Sequence, residues 1–239
     1  SYFSKQFQIE NTNFQSIWSL ISRSICAFLI RKSYLNNQKK YSAQKILTKG
    51  DKINWSSENY FKIRELGRGS SSVVDLIYNI QREEIFALKI PYNNCIELIK
   101  RERENYLKIQ NPFIVHYYGC IESNQMPNLL IEFIDGETLD KYDTSTLNMI
   151  FELMISLHFI QSNKCLYRDL KPNNVIINSE KDAILIDFDR VINIDEQFTK
   201  DFNSDCIPPE LFFGERLTYK SDVYSLGYII YYILFDKKP

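Results

Sequence analysis

The chain has 239 residues, of which 44% are hydrophobic and 25% are charged, and this balance predicts one or two globular domains with a sizeable core. The net charge of -1 gives no indication of binding to nucleic acid or to an anionic membrane surface. Five dispersed cysteines without a CxxC pair argue against a disulfide framework or a zinc site, and they predict a reducing, cytoplasmic location.

Residues 1–57 contain no motif that indicates a function. Their apolar stretch, residues 14–30, is shorter than the ~20 apolar residues of a membrane-spanning helix and is interrupted by Gln15 and Arg23. We expect an amphipathic helix there, packed on a neighbouring surface. The region is interpreted as an extension of unknown role, with a separate interaction or membrane module as the alternative.

From residue 60 onwards, short apolar runs and turn residues indicate strands, and longer runs indicate helices. In the first half we predict strands at 60–66, 72–78, 84–90 and 128–134, and a helix at 95–109. In the second half we predict a helix at 147–160, a hairpin of 174–178 with 183–187, and a helix at 221–235. The last helix is apolar nearly all round, which predicts that it is buried.

The first turn, between strands 60–66 and 72–78, contains Gly67 and Gly69 and is followed by Ser72. Glycine lets the backbone approach a ligand closely, and exposed N–H groups can bind phosphate oxygens. An ordinary hairpin turn explains this pattern about as well. A dinucleotide-binding turn would need a helix directly afterwards, whereas a strand is predicted.

Lys89 lies inside an apolar strand, on the same face as Ala87 because side chains alternate along a strand. It is either an edge-strand charge or a buried cation with an acidic partner. Glu102 is the candidate partner, since it shares a helical face with apolar residues. Glu97 and Glu104 are rival partners.

The segment "CLYRDLKPNNVII" at 165–177 places Asp169 five residues before Asn174. The hairpin that follows would bring Asn174 close to Asp187, at the end of its second strand. Two neighbouring oxygen ligands suit Mg²⁺, which binds through few protein groups and keeps waters or phosphates. Asp169, one short loop away, could receive a hydroxyl proton.

Six segments together resemble the eukaryotic protein kinases, and they occur in the order and at the spacings of that family. They are the glycine turn at 67–74, "FALK" at 86–89, "YRDLKPNN" at 167–174, "DFD" at 187–189, "PPE" at 208–210 and "DVYSLG" at 222–227. A small-molecule phosphotransferase of related fold is the nearest alternative, and the last two segments argue against it.

The resemblance implies an α+β, two-lobed fold with a small β-rich N-lobe and a mainly helical C-lobe. Residues 58–239 would form the kinase domain, with the N-lobe at 58–133 and the hinge and partial C-lobe at 134–239. We expect the C-lobe to lack its last helices and the chain to be part of a longer protein. We also expect that this piece is poorly stable alone and that Glu210 lacks its usual arginine partner.

The resemblance also implies an ATP site between the lobes. Gly67, Gly69 and Ser72 would cover the phosphates, and Val74 and Ala87 would sandwich the adenine. Lys89, paired with Glu102, would hold the α- and β-phosphates. Ile131 would close the back of the pocket, and the hinge, Glu132 to Ile134, would bind the base.

Catalytic roles follow from the same resemblance. Asp169 would orient the substrate hydroxyl and accept its proton, and Lys171 would neutralise the moving phosphoryl group. Asn174 and Asp187 would hold Mg²⁺. Lys171 is also typical of serine/threonine kinases, so the implied reaction transfers the γ-phosphoryl group of ATP to hydroxyls of a protein substrate.

Arg168 before Asp169 implies regulation, because such an arginine commonly pairs with a phosphate on the activation segment. Thr199 is the candidate phosphorylation site, with Ser204 as the alternative. A solvated hydroxyl without a role is an equally good interpretation of either residue.

Four positions depart from the family pattern: Tyr167 for histidine, Ser72 for glycine, Asn203 for threonine and Asp189 for the glycine of DFG. The first two are tolerable, and Asn203 weakens the serine/threonine assignment. At Asp189, glycine would permit unusual backbone angles, some of which aspartate tolerates. We predict reduced switching of the segment rather than lost metal binding. A pseudokinase scaffold with little phosphoryl transfer is the alternative function.

Overall fold

The structure, a computed structural model, describes residues 59–80, 82–123, 126–142, 147–196 and 207–235. Residues 1–57, with the apolar stretch 14–30, lie outside these ranges, as do Thr199, Asn203 and Ser204. In the described part of the chain, no helix combines the length and the apolar character needed to cross a bilayer.

Five antiparallel strands form the first layer, in the order β1-β2-β3-β5-β4. They are β1 Tyr60–Arg68, β2 Ser72–Asn79, β3 Glu84–Pro91, β4 Tyr117–Ser123 and β5 Met126–Glu132. Alternation along β3 divides its side chains between two environments. Phe86 and Leu88 pack with one small apolar cluster, whereas Ala87 belongs to the main core on the other face.

Helix α1, Ile96–Lys108, packs against β5 on the main-core side of the sheet. It follows a short 3-10 turn at Asn93–Cys95 and ends where Ile109 becomes extended. Its buried residues are Ile99, Glu102, Asn105 and Tyr106. Two of these are polar, which is unusual for a face that packs on a sheet and indicates that they have specific partners.

The second layer is mainly helical and carries short strand pairs. Its elements are β6 Gly136–Thr138, α2 Leu147–Ser162, β7 Cys165–Leu166, β8 Val175–Asn178, β9 Ala183–Leu185, β10 Ile192–Asn193, α3 Pro209–Phe212 and α4 Tyr219–Phe235. β8 pairs with both β6 and β9, and β7 pairs with β10. The α+β architecture predicted from the sequence is therefore confirmed.

One apolar core runs through both layers. Ile99 and Tyr106 of α1, Leu153 of α2, Leu185 of β9 and Ile229 of α4 are all at most 1% exposed and belong to the same cluster. This continuity fixes the position of the second layer relative to the sheet, and so it fixes the site between them.

Three predictions about elements were wrong. β4 was not predicted, and the strand expected at 128–134 instead spans 126–132, because the chain leaves the sheet after Glu132. α4 is not buried all round: Val223, Leu234 and Phe235 are each more than half exposed. Among the described residues, α2 packs against α4, whose buried residues include Leu226, Ile229 and Ile233.

The two edge strands of the sheet are irregular. β1 shifts register against β2 between Lys62 and Arg64 and again between Glu65 and Gly67. β4 shifts register against β5 between Tyr117 and Gly119. Such irregularities are typical of sheet edges, where they interrupt the regular ladder of backbone groups.

Candidate active site

Lys89 lies at the centre of the site and is 5% exposed. Its Nζ lies 2.9 Å from Glu102 Oε1, 2.8 Å from Glu102 Oε2 and 2.7 Å from Asp187 Oδ1. The pairing of Lys89 with Glu102 is therefore present. The rival Glu97 instead contacts Lys100 on the surface, and Glu104 is exposed.

This buried cluster stabilises the charged form of the lysine. Burial alone would lower the pKa of Lys89, but the carboxylates of Asp187 and Glu102 outweigh it and raise this pKa well above its usual value. Burial raises the pKa of Glu102 to about 7, although Lys89 opposes the shift. The pKa of Asp187 is lowered, because attraction to Lys89 exceeds the effect of its own burial.

Helix α1 is tied to the segment that follows Asp187. Glu102 Oε1 accepts hydrogen bonds from the hydroxyl of Tyr106 at 3.1 Å and from the backbone N–H of Phe188 at 3.2 Å. The side-chain amide of Asn105 donates to the carbonyls of Phe188 and Val191, at 3.2 and 2.9 Å. These bonds explain why two polar residues of α1 are buried, and they fix Asp187 relative to the helix.

An aromatic column joins the sheet to the second layer. The ring of Tyr106 stacks on Tyr117 of β4 at 5.8 Å between centroids and contacts Phe188 at 5.1 Å. Phe188 in turn packs edge-on against Tyr167 at 5.4 Å. Tyr106, Phe188 and Tyr167 are each at most 1% exposed, so this column is part of the core.

Asp169 is 2% exposed, and its two carboxylate oxygens differ. Oδ2 accepts hydrogen bonds from Lys171 Nζ and from Asn174 Nδ2, both at 2.8 Å. Oδ1 is buried and has no hydrogen-bond donor within the described ranges. A carboxylate with one oxygen fixed and the other without a donor is suited to accept a proton from a hydroxyl group that enters the site.

The hairpin of β8 and β9 brings Asn174 and Asp187 to neighbouring positions. Val175 pairs with Leu185, and the backbone N–H of Ile186 donates to the carbonyl of Asn174 at 2.9 Å. The amide nitrogen of Asn174 is used by Asp169, which leaves its oxygen Oδ1 for another ligand.

These groups fit a Mg²⁺ ion that also binds phosphate. Asp187 and Asn174 offer hard oxygen atoms, and the Asp187 side chain is 34% exposed. No cluster of three or more His, Cys, Asp or Glu residues able to hold a metal ion occurs among the residues that the structure describes. A cation here would therefore complete its coordination with waters or with the oxygens of a bound nucleotide.

The loop that carries Asp169 is anchored by Asp222 of α4. The backbone N–H groups of Tyr167 and Arg168 donate to the two oxygens of Asp222, at 2.8 and 2.9 Å. Burial raises the pKa of Asp222 to about 6, although these two hydrogen bonds oppose the shift.

Arg168 and Asp187 have left-handed backbones, with φ of 71° and 64°. Such backbone conformations are costly outside glycine and are found where surrounding contacts fix them.

The glycine turn lies at the end of the sheet above Lys89. Gly67 pairs with Val74, and Val74 pairs with Lys89 on β3. The backbone N–H of Gly69 donates to the carbonyl of Ser72 at 2.9 Å, which closes the turn. A side chain added at Gly67 would meet nothing within 4 Å, so the space beside the turn is open.

The remaining predicted nucleotide contacts continue along the same sheet. Ala87 of β3 pairs with Ile131 of β5. Glu132 ends β5, and its backbone N–H is already used by the carbonyl of His116, at 2.8 Å. Ile134 follows in the segment that leaves the sheet and is 9% exposed.

Asp189 does not have a positive φ, so in this conformation its backbone does not need a glycine. Its side chain is 8% exposed, and its Oδ2 accepts a hydrogen bond from Ser71 Oγ at 3.1 Å. Burial and the neighbouring Asp187 raise the pKa of Asp189. The contact with Ser71 was not predicted, since the pattern at 67–74 singles out the glycines.

Glu210 has a hydroxyl partner, which the sequence did not predict. The hydroxyl of Ser221, in α4, donates to Glu210 Oε1, and the same hydroxyl accepts from the backbone N–H of Thr218 at 3.0 Å. The sequence offered only a weak signal for this bond, a serine in the first turn of a predicted helix.

Comparison with known proteins agrees with this geometry. A family model described as "Protein kinase domain" matches residues 60–239. Mitogen-activated protein kinase kinase 2 of Arabidopsis thaliana is 28% identical over 189 residues, which cover 70% of this chain and 51% of that protein.

Two other relatives are of different origin. Serine/threonine-protein kinase PrkC of Bacillus subtilis is 26% identical over 202 residues, covering 77% of this chain and 31% of the relative. Aurora kinase A-B of Xenopus laevis is 26% identical over 206 residues, covering 80% and 50%. The chain thus spans about half or less of the length of these relatives.

Proposed function

The chain belongs to the protein kinase domain family, and from that premise we propose that it is an active, ATP-dependent serine/threonine protein kinase. The observation that carries this proposal is the carboxylate of Asp169, with Oδ2 held by Lys171 and Asn174 and with Oδ1 buried without a donor. Lys171 and Asn174 hold this carboxylate in a fixed orientation, and all three residues belong to the segment 167–174 that carries the resemblance to protein kinases.

In the proposed reaction, Asp169 orients the hydroxyl of a protein serine or threonine and accepts its proton at Oδ1. Lys171 lies 2.8 Å from the other oxygen of Asp169, so its ammonium group is close to the phosphoryl group in transfer. It neutralises charge there.

Lys89 binds the phosphates of ATP, and Glu102 with Asp187 holds its ammonium group in place. Asn174 and Asp187 would hold Mg²⁺, which supplies charge neutralisation at the phosphate oxygens when bound. Gly67, Gly69 and Ser72 cover the phosphates from the sheet side. Family membership supports the use of ATP and Mg²⁺ in general.

The test is transfer of radiolabel from γ-labelled ATP to a generic protein such as casein or myelin basic protein, with Mg²⁺ present. Asp169→Asn keeps the shape of the side chain and removes the proton acceptor, so we expect it to lower the rate by about 10²- to 10⁴-fold. Transfer by the unaltered chain no faster than by Asp169→Asn would contradict the proposal.

The serine/threonine assignment needs a separate measurement. Lys171 and the named relatives support it, whereas Asn203 departs from the usual pattern. Phosphoamino acid analysis of the labelled protein should give phosphoserine or phosphothreonine. Phosphotyrosine as the main product would overturn this part of the proposal and leave the kinase activity standing.

A pseudokinase scaffold is the second candidate, and Asp189 is the observation that favours it. Its carboxyl group adds a further acid near Asp187 and Glu102, where the phosphates of a nucleotide would also bring negative charge. Nucleotide binding without any transfer, measured on the same preparation, would support this candidate.

A further inference from the structure

Asp189 and Ser71 form a contact across the proposed phosphate site. Ser71 belongs to the turn between β1 and β2, and Asp189 lies two residues beyond Asp187, which contacts Lys89. The hydroxyl of Ser71 donates to Asp189 Oδ2 at 3.1 Å, although the two residues are 118 positions apart. The bond therefore joins the turn directly to the segment that carries Asp187.

Burial makes this contact more significant than an ordinary surface hydrogen bond. Ser71 is 5% exposed and Asp189 is 8% exposed, whereas the neighbouring Ser70 is exposed. The second oxygen of Asp189, Oδ1, is also buried and has no hydrogen-bond donor in the described ranges. Loss of the Ser71 hydroxyl would leave both oxygens of a buried carboxyl group without a donor, which is costly.

Besides the Ser71 hydroxyl, a backbone hydrogen bond anchors the turn on the side of the sheet. The carbonyl of Ser71 accepts from the backbone N–H of Tyr92 at 3.0 Å, and this bond ties the turn to the end of β3. On the side of the second layer, the Ser71 hydroxyl is the polar contact that reaches Asp189. The charged groups around Asp189 are Asp187, Lys89 and Arg190.

We propose that Ser71 and Asp189 form a clasp that holds the glycine turn closed over the phosphate site, and that Asp189 is thereby a positioning residue for this turn. The inference rests on the proposed function to the extent that ATP is the ligand. Lys89 contacts Asp187 and pairs with Val74 just after the turn, so phosphates held by Lys89 would lie beside the clasp, and its opening would accompany entry and exit of nucleotide.

The first experiment needs no nucleotide. Amide hydrogen exchange of residues 67–72 is compared in the 239-residue chain, in Ser71→Ala and in Ser70→Ala, a matched control on the exposed neighbouring serine. We expect Ser71→Ala to exchange about tenfold faster in this turn, as befits loss of a hydrogen bond to a charged group, and Ser70→Ala to remain at the level of the unaltered chain. Equal exchange in the two variants would overturn the clasp.

The second experiment follows nucleotide exchange by stopped flow with a fluorescent ADP analogue. Ser71→Ala should raise the association and dissociation rates together, by several-fold each, with a smaller change in Kd. Asp189→Asn keeps an acceptor oxygen and removes the charge, so its effect should be smaller than that of Ser71→Ala. A larger effect of Asp189→Asn would show that charge, and not the clasp, controls exchange.

The two experiments separate failure of the clasp from failure of the proposed function. If the unaltered chain bound no nucleotide, the proposed function and the control of nucleotide exchange would both fall. The amide exchange data would still decide whether the Ser71 contact holds the turn closed.

Discussion

A single ammonium group, Nζ of Lys89, connects three parts of the chain that are far apart in sequence: β3, α1 through Glu102 and the segment after β9 through Asp187. Glu102 and Asp187 also have contacts of their own, so more contacts hold the cluster together than in a simple ion pair. Breaking a buried pair by removing one partner is costly because the remaining charge stays buried.

Replacement of Glu102 by alanine should therefore destabilise the protein by about 3–5 kcal/mol. The variant leaves Lys89 with Asp187 alone and removes the acceptor for Tyr106 and for the N–H of Phe188. Urea unfolding followed by circular dichroism measures the change. Glu104→Ala is the matched control, since Glu104 is exposed on the same helix, and it should change stability by less than ~0.5 kcal/mol. Similar losses of stability in Glu102→Ala and Glu104→Ala would contradict a stabilising role of the buried cluster around Lys89.

The raised pKa of Asp222 predicts a specific pH dependence of the free energy of unfolding. Its pKa rises on folding from 3.8 to about 6, so the folded state favours the neutral carboxyl group. The stability that Asp222 contributes is then fully present below pH 3.8 and is lost as the pH rises through about 6. The shift corresponds to roughly 3 kcal/mol, at about 1.4 kcal/mol for each pKa unit.

The comparison with Asp222→Asn isolates this effect from the other carboxyl groups. We expect the difference in unfolding free energy between the unaltered chain and the variant to shrink from pH 4 to pH 6 and to stay level above pH 7. Urea titrations at each pH give the difference. A difference that grows over this interval would mean that the pKa of Asp222 is lowered rather than raised.

Among the elements, the pairing of β6 with β8 depends on the absence of a side chain at Gly136. A Cβ there would lie 2.1 Å from the carbonyl oxygen of Ile177 and 2.8 Å from its carbon, and backbone atoms cannot move aside without breaking the pairing. Gly136→Ala should therefore destabilise the protein by about 1–3 kcal/mol.

Gly227 provides the control for this prediction. It lies in α4 with open space at its Cβ position, and alanine is the better helix former, so Gly227→Ala should stabilise the protein by about 0.5–1 kcal/mol. Thermal unfolding of the two variants measures both effects. An unchanged midpoint for Gly136→Ala would show that β6 can shift without cost.

The sequence predicted elements well where apolar residues alternate or recur regularly, as in β2, β3 and α2. It missed β4, "YYGCIES", because Gly119 and polar residues interrupt the apolar pattern. It overestimated the burial of α4, because periodicity records how apolar a face is and not whether a neighbour covers it.

In the site, residue type and spacing were enough to make Glu102 a candidate partner of Lys89 and to place Asn174 next to Asp187, whereas the choice of Glu102 over Glu97 and Glu104 came from the resemblance to protein kinases. The Ser71–Asp189 and Ser221–Glu210 bonds could not be predicted in this way. Serine is common on surfaces and in turns, so only the packing of distant segments decides which hydroxyl meets a buried carboxylate.

For the whole molecule, the column of Tyr117, Tyr106, Phe188 and Tyr167 joins the sheet to the second layer. Because Phe188 is fully buried in the middle of the column, Phe188→Ala should cost about 3–5 kcal/mol and weaken the coupling of the two layers. Unfolding monitored by far-UV circular dichroism and by tryptophan or tyrosine fluorescence should then show two separate transitions.

Phe61→Ala is the control, since Phe61 is 53% exposed on β1 and packs only against the neighbouring Tyr78 among the aromatic contacts of the described residues. The unfolding transitions of Phe61→Ala followed by circular dichroism and by fluorescence should coincide, as in the unaltered chain. Coincident transitions in Phe188→Ala, with a loss below 1 kcal/mol, would show that the column does not couple the layers.

The register shifts in β1 and β4 have a consequence for the behaviour of the protein at high concentration. An unpaired strand offers N–H and C=O groups on which a second molecule can add its own strand, and this route leads to aggregates. Register shifts interrupt both edge strands of the five-stranded sheet, and β1 also carries Lys62, Arg64, Glu65 and Arg68. Within the part of the chain that the structure describes, both features oppose the addition of a second molecule's strand to this sheet.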